Sequence, residues 1–184
     1  MAECATIFNQ MASSHRIARI QDGQTIPGTF LQAFIKNGEH FFVTNIKIYK
    51  DGMIDDWGLG MQLVNLEGFK DMVKRGWVRT RLPEGARVSM MVSSLNFTVT
   101  NVNARVEEEE FVKEIEDEIL RLNGEPTSDQ ICIESYNRYK QEPSEMNKES
   151  LRQAYEAVPK HNRRFLGDMD SKDWDYKHIL GVAS

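Results

Sequence analysis

Apolar and polar residues alternate most regularly in two runs, Thr29–Lys36 and Glu39–Lys50, which flank the dipeptide Asn37-Gly38. Asn and Gly both tolerate the positive φ of a two-residue type I′ turn, so this pattern predicts a β-hairpin. The predicted register places Phe34 opposite Phe41. Side chains alternate between the two faces of a strand, and both faces of this hairpin are apolar. We therefore expect a central hairpin whose two faces are both covered by other parts of the chain.

Further short strands are predicted on both sides of one inserted helix. Asp51-Gly52 is a second type I′ signal, which folds back a strand at Met53–Trp57 with Lys47 opposite Asp56. Asn65 is an N-cap residue, and the apolar stripe that follows it predicts a helix over residues 66–75. The other predicted strands are Trp77–Leu82 and Arg87–Val92, joined as a hairpin by Pro83–Gly85, and Leu95–Val106, where a change of apolar phase indicates a bulge.

Beyond Val106 the apolar residues recur at the period of a helix. The pattern predicts helices at Glu107–Leu122 and Ser128–Lys140, one from Ser144 or Asn147 to Val158, and short helical turns at His161–Leu166 and Ser171–Leu180. Residues 1–26 are poorly defined, with a short strand at Ala5–Phe8 and a helix at Gln10–Ile20 as the expectations there.

The expected fold class is α+β. It comprises an antiparallel meander or small curved barrel of about six strands, with the inserted helix, followed by a C-terminal helical segment. The whole chain, residues 1–184, is expected to form a single domain, with a β-rich core at 27–106 and a helical part at 107–184.

Composition and charge are those of an ordinary soluble protein, with 40% apolar residues, 28% charged residues and a net charge of −5. The charge is unevenly distributed. Lys70–Val106 contains seven basic and two acidic residues, whereas Glu107–Glu149 contains five basic and fourteen acidic ones. These blocks either attract each other within the fold, which we favour, or offer a basic face to an anionic partner.

The cysteines and the apolar runs indicate the cellular compartment in which we expect the protein. Cys4 and Cys132 are far apart and lack neighbouring ligands, which argues against a zinc site and a disulfide framework. No apolar run resembles a secretory signal or a membrane span. We therefore expect a cytoplasmic protein that contacts no membrane.

Candidate metal ligands lie between Gly167 and His178, where four aspartates and a histidine are clustered. Asp168, Asp170 and Asp173 are the candidate ligands, because divalent cations prefer several carboxylate oxygens. The calcium-loop template does not fit their spacing. The favoured alternative is helix capping, with Asp170 or Ser171 as the N-cap of the last helix and Asp173 in its first turn.

Candidate anion-binding residues are Arg79, Arg81 and Arg87, which lie across one predicted hairpin. The favoured alternative is an outward, solvated strand face. Nucleic acid is not an expected partner, since the protein is acidic and only Trp77 interleaves with these arginines as a stacking residue. The four histidines occur in separate segments, and no Ser-His-Asp or Cys-His pattern predicts catalytic residues or a cofactor.

One resemblance covers most of the chain and is clearest near its end. Tyr155–Pro159, Arg163-Arg164 and Leu166–Asp173 resemble the C-terminal signature of a family of bacterial proteins, prominent among cyanobacteria, without an established function. The resemblance implies a bacterial, cytoplasmic, single-domain protein. It implies no catalytic or binding residues.

Two hypotheses for function follow. The favoured one is a non-enzymatic binding or protein-interaction protein, in which the curved sheet and the C-terminal helices form a groove for a protein partner or small ligand. The alternative is an enzyme or ligand-responsive protein with a divalent-cation site in the cluster Asp168–Asp175. A homodimer is compatible with both, because an open sheet leaves an edge strand exposed.

Overall fold

The computed structural model describes residues 17–56, 61–90, 95–100, 106–167 and 172–182. It confirms an α+β fold with an open, mixed sheet, not closed into a barrel, and a C-terminal helical segment. The described strands are β1 (Ala18–Gln21), β2 (Gln24–Asn37), β3 (His40–Tyr49), β4 (Ile54–Asp56), β5 (Val78–Arg79), β6 (Arg87–Met90) and β7 (Leu95–Thr98). The described helices are α1 (Leu66–Lys74), α2 (Glu108–Asn123), α3 (Ser128–Gln141), α4 (Glu145–Ala157), α5 (Trp174–Leu180) and a short 3-10 helix (Arg163–Phe165).

The hairpin β2–β3 is the centre of the sheet, as predicted, and two short strands share each of its outer edges. Strands β1 and β5 pair with β2, whereas β4 and β6 pair with β3. Strand β7 pairs with the outer edge of β6. The predicted meander is wrong in one respect, because β6 runs parallel to β3 and does not form a hairpin with β5. The connection crosses one face of the sheet, where Leu82 and Ala86 are buried against Phe41.

The predicted turn of the central hairpin is displaced by one residue. Phe34 pairs with Val43, not Phe41, and the two-residue loop is Gly38-Glu39, with φ +62° at Gly38 only. A positive φ at the first loop residue alone corresponds to a type II′ turn. The resulting shift of two residues in the pairing keeps every side chain on its predicted face. One face is covered along its length, as predicted, whereas the other is covered around Phe41 and leaves Phe30 45% exposed.

The strand after Asp51-Gly52 differs from its prediction by a single residue in register. A three-residue loop joins β3 to β4, so Lys47 lies opposite Asp55, not Asp56, and forms an ion pair with it at 3.0 Å. A shift of one residue exchanges the faces of a strand. Asp56 is therefore buried, and it accepts a hydrogen bond from the backbone N–H of Met61 at 3.0 Å.

The inserted helix α1 and the start of α2 cover one face of the sheet. Asn65 caps α1, as predicted, by accepting a hydrogen bond from the backbone N–H of Gly68 at 2.9 Å, and Gly76 follows the end of the helix with φ +72°. The principal core lies between these helices and the sheet. Its fully buried members include Ile35, Ile46, Ile48, Phe69, Val78 and Ile115.

Two predictions differ from the structure near the ends of the β-rich part. The expected helix at Gln10–Ile20 is wrong where the structure describes it, because β1 occupies residues 18–21 and turns into β2 through Asp22-Gly23. Strand β7 ends at Thr98, so the predicted strand Leu95–Val106 is shorter over its described part. Residues 5–16 and 101–105, on which the other parts of these predictions fall, lie outside the described residues.

The C-terminal helices form a second small core and agree closely with their predicted bounds. Helix α2 ends at Gly124 with φ +72°, and Ser144 caps α4 by accepting the backbone N–H of Asn147. In α3, Cys132 is fully buried, whereas its neighbour Ile131 is 42% exposed. None of the helices in the described residues is long and apolar enough to cross a membrane. The second core contains Cys132, Leu151, Ala154, Tyr155, Val158, Leu166, Tyr176 and Leu180.

Candidate functional site

The two charge blocks pair with each other within the fold, which is the favoured interpretation of the charge pattern. Arg81 contacts Glu107 at 3.0 Å, and Arg79 contacts Glu108 at 3.6 Å. Lys70 of α1 contacts Glu116 of α2 at 2.9 Å. Two of the three candidate anion-binding arginines are thus engaged by glutamates at the start of α2.

The third arginine of that set lies elsewhere. Arg87 is exposed on β6, opposite His40 on β3 and Thr98 on β7. It lies on the β3 side of the central hairpin, whereas Arg79 lies on the β2 side. The structure therefore does not bring the three arginines together into one anion site.

Of the candidate metal ligands, Asp173 has a structural role. Its carboxylate accepts the Tyr155 hydroxyl at 2.7 Å and contacts the Lys177 ammonium at 3.3 Å. Burial would raise the pKa of Asp173, but these two hydrogen bonds lower it below its ordinary value. Burial and the Asp173 carboxylate together raise the pKa of Tyr155 to about 12.

The start of the last helix differs from its prediction at Asp173. Asp173 itself occupies the N-cap position of α5 and makes no capping hydrogen bond there, which corrects its expected place in the first turn. Asp168, Asp170 and Ser171 lie outside the described residues. Within the described ranges no three His, Cys, Asp or Glu side chains cluster as metal ligands. The metal site therefore stays a prediction.

The outer edge of β2 is interrupted between its two short partners. In an antiparallel strand, alternate residues direct their backbone groups to opposite neighbours. The outward set on β2 is even-numbered, since Gly28 N–H donates to Ile17 C=O at 2.7 Å and Lys36 N–H donates to Trp77 C=O at 2.8 Å. Phe30 and Gln32 belong to the same set, and no strand of the described chain pairs with them from that side.

The interruption exists because the chain after β5 leaves the sheet. Thr80 donates its hydroxyl to the Val106 carbonyl at 2.8 Å, and Arg81 pairs with Glu107. Both contacts draw this segment from β2 toward the start of α2. The strand pairing that begins at Val78 and Arg79 therefore ends before it reaches Gln32.

A groove of 290 Å³ lies beside this interruption, between β2 and α2. Its walls combine apolar side chains of both elements with the hydroxyl of Thr80 and the carboxylate of Glu114. The lining residues are Leu31, Gln32, Ala33, Phe34, Thr80, Val106, Phe111 and Glu114. Pockets that are mostly apolar with a few polar groups are typical of binding sites.

Glu114 connects the groove to the C-terminal helices. Its Oε1 lies 2.7 Å from Nε2 of His161, and both side chains are about one quarter exposed or less. The other ring nitrogen, Nδ1, is buried and has no hydrogen-bond partner in the described structure. The groove therefore has the hydrogen-bonded side chains of Glu114 and His161 at its wall.

Other carboxylates on the same side of α2 hold the C-terminal helices in place. Glu110 accepts the backbone N–H of Lys160 at 2.6 Å, and Asp117 accepts the backbone N–H of Ser128 at 2.7 Å. Burial would raise the pKa of Glu110, but the Lys160 N–H and the Lys113 ammonium lower it. Helix α2 thus has an apolar side toward the sheet and an acidic side toward the C-terminal helices.

The sequence predicts a groove formed by the sheet and the C-terminal helices, but it does not indicate which residues line the groove. Gln32, Thr80 and Glu114 belong to three distant segments without a common motif. No local pattern marks Phe30 and Gln32 as unpaired, because their neighbours in β2 have the same strand-like composition.

The comparisons with known proteins give matches to family models of unknown function. No curated protein and no solved structure gives a significant match to this chain. Residues 16–126 match the model described as "Domain of unknown function (DUF7638)", and residues 127–182 match "Domain of unknown function (DUF7639)". The boundary falls between α2 and α3. The expected uncharacterised family is confirmed, whereas the single-domain organisation stays a prediction. Because the first model covers more than half of the sequence, the chain belongs to the DUF7638 family of unknown function, continued by a DUF7639 region.

Proposed function

We propose that this protein is a non-enzymatic interaction protein of the bacterial cytoplasm, which binds an extended segment of a partner protein at the interrupted edge of β2. The observation that carries the proposal is the pair of residues Phe30 and Gln32, whose outward backbone groups lack a strand partner in the described chain. Unpaired edge groups are a template for an added strand.

The position of the interruption favours a strand over a small ligand. Strands β1 and β5 both run antiparallel to β2, one before and one after the interruption. A segment placed between them in the same direction would complete the pairing along this edge. Three residues of a strand span about 10 Å. The bound segment is therefore short, and the groove beside it supplies the side-chain contacts.

The described part of the cluster Asp168–Asp175 gives no support to the alternative function, a divalent-cation site. The described candidate ligand, Asp173, already contacts Tyr155 and Lys177. An enzymatic role likewise has no group of reactive side chains in support within the described ranges. We keep the interaction function as the proposal.

The test uses two variants at one position. Random heptapeptides displayed on phage are selected on the immobilised protein, and the selected peptides are synthesised and measured by fluorescence anisotropy. Gln32→Pro removes the outward N–H without disturbing the bonds of β2 to β3, because proline is tolerated on strand edges. Gln32→Ala keeps the N–H and is the matched control. Both variants lack the Gln32 side chain, so the comparison between them isolates the N–H, and we expect the proline variant to bind about tenfold or more weakly than the alanine variant.

A second measurement uses the wild type, so its result does not depend on whether the proline variant folds. In ¹⁵N NMR spectra of the wild type, added peptide is expected to shift the amide signals of Phe30 and Gln32 and to slow their hydrogen exchange. Selected peptides that bind the proline variant equally well, and leave these amides unchanged, would overturn the proposal. A dimer in sedimentation equilibrium that only the proline variant disrupts would assign the edge to a second copy of the chain and would also overturn it.

A further inference from the structure

We propose that the groove selects a segment with one aliphatic residue and, two positions away, a positively charged residue that pairs with Glu114. This inference rests on the proposed strand addition and specifies the partner's chemistry. It follows from the register of an added strand, the lining of the groove and the charge at its wall.

The register decides which side chain enters the groove. Directly opposed residues of neighbouring strands have their side chains on the same face of the sheet. Leu31 and Ala33 lie on the face covered by α2, where they pack with the core that includes Phe111. The added residue opposite Leu31 therefore directs its side chain toward α2, whereas the residues opposite Phe30 and Gln32 direct theirs to the other face.

The lining of the groove suits an aliphatic side chain at that position. Leu31, Ala33, Val106 and Phe111 supply apolar walls. An engineered apolar cavity of about 150 Å³ binds benzene. A groove of 290 Å³ therefore accommodates the side chain of Leu, Ile or Met. A charged residue at this position would lose its hydration without a partner.

The charge at the wall of the groove is negative. Glu114 is the single charged residue among the described residues that line it, and its described ionic partner is His161, which is positive only when protonated. Neighbouring glutamates of α2 and the residue before it have permanent cations as partners. These pairs are Glu107–Arg81, Glu108–Arg79 and Glu110–Lys113.

The position of the cation follows from the alternation of the added strand. Side chains on the α2 face occur at every second residue, so the neighbours of the aliphatic residue on that face lie two positions before or after it. A lysine or arginine there can reach the Glu114 carboxylate, whereas an acidic residue is repelled. The expected motifs are aliphatic-x-basic and basic-x-aliphatic.

The test uses synthetic, acetylated and amidated seven-residue peptides on a threonine background, measured by isothermal titration calorimetry. Each carries one leucine with a lysine or a glutamate two positions before or after it. We expect one lysine peptide to bind the wild type about five- to tenfold more tightly than its glutamate counterpart, as for a partly exposed ion pair. Glu114→Gln, which retains a hydrogen-bonding group for His161, is expected to abolish this preference. Glu109→Gln, at an exposed position of α2 outside this groove, is the matched control and should retain it.

The outcomes separate this inference from the proposed function. Equal binding of lysine and glutamate peptides, with both weakened by Gln32→Pro, would overturn the selection by Glu114 and leave strand addition intact. A preference for lysine that persists in Glu114→Gln would also overturn it. Absence of binding by every peptide, or binding unaffected by Gln32→Pro, would overturn both.

Discussion

The contact between Asp117 and Ser128 should be essential for docking α3 onto α2. Both oxygens of the buried Asp117 carboxylate are used, one by the backbone N–H of Ser128 and one by its hydroxyl, each at 2.7 Å. Ser128 is the first residue of α3, so the carboxylate also lies at the positive end of that helix dipole. Asp117→Ala would leave both donors without their acceptor at a partly buried helix start.

The magnitude follows from these contacts. Hydrogen bonds to a charged acceptor contribute about 1.5–3 kcal/mol each, and water entering the site would recover part of the loss. A favourable helix-dipole contact contributes up to about 1 kcal/mol. We therefore expect Asp117→Ala to lower the free energy of unfolding by about 3 kcal/mol. For a chain of this size that corresponds to a decrease in Tm of about 6–12 °C.

The assay is thermal and urea unfolding followed by far-ultraviolet circular dichroism at neutral pH. Asp117→Asn keeps one acceptor and should lose less stability than the alanine variant. Glu109→Ala, at an exposed position of the same helix, is the control, and its effect should stay within about 0.5 kcal/mol. Equal effects of Asp117→Ala and Glu109→Ala would refute the reasoning, because they would show that the carboxylate contributes no net stabilisation.

Four further predictions concern other parts of the molecule. Hydrogen exchange of the free protein should be fast at the outward amide of Gln32 and slow at the amide of Ala33, which faces β3; equal protection would contradict the interrupted edge. Asp173→Asn should lower the pKa of Tyr155 from about 12 toward its ordinary value, measured by ultraviolet absorbance at alkaline pH. Because the folded-state pKa of Asp173 is lowered, its contribution to stability is present at neutral pH and is lost as the pH falls below about 4, so the acid limb of a stability curve should be shallower in Asp173→Asn than in the wild type. Burial raises the pKa of the Cys132 thiol to about 12, so iodoacetamide should modify Cys132 only after unfolding, as mass spectrometry of the labelled peptide would show.

The candidate site was only partly predictable. The opposite charge blocks predicted contacts within the fold, and Arg79 and Arg81 do pair with glutamates of the acidic block. The sequence did not indicate which glutamates, because a charge pattern has no information about strand order. The groove residue Glu114 was one acidic residue among fourteen in its block, and only its position against β2 and His161 distinguishes it.

The register of β4 shows how a small local choice changes a residue's role. Asp51-Gly52 predicted a turn, and the turn exists, but its loop contains one more residue than a type I′ hairpin has. That residue places Asp55 opposite Lys47 and turns Asp56 toward the buried backbone of Met61. Turn residues favour several loop lengths, and the tertiary contacts on each face select among them.

Features that depend on neighbours along the chain could be predicted without knowledge of the fold. Helical periodicity and the N-cap residues Asn65 and Ser144 gave the positions of α1 to α4, and the alternation in β2 and β3 gave the two faces of the central hairpin. These features follow from backbone hydrogen bonds and side-chain burial within one element.

The pairing of the strands, the incomplete edge and the position of the groove depend on contacts between distant segments of the chain. Backbone hydrogen bonds between strands do not depend on side-chain type, so the hydrogen bonding of β5 and β6 does not by itself specify β2 or β3 as the neighbour. Packing of Leu82 and Ala86 against Phe41 takes the chain across the sheet. Thr80 turns toward Val106 and leaves the sheet, because contacts with distant residues outweigh the local strand propensity there. Phe30 and Gln32 therefore have no strand partner in the described chain.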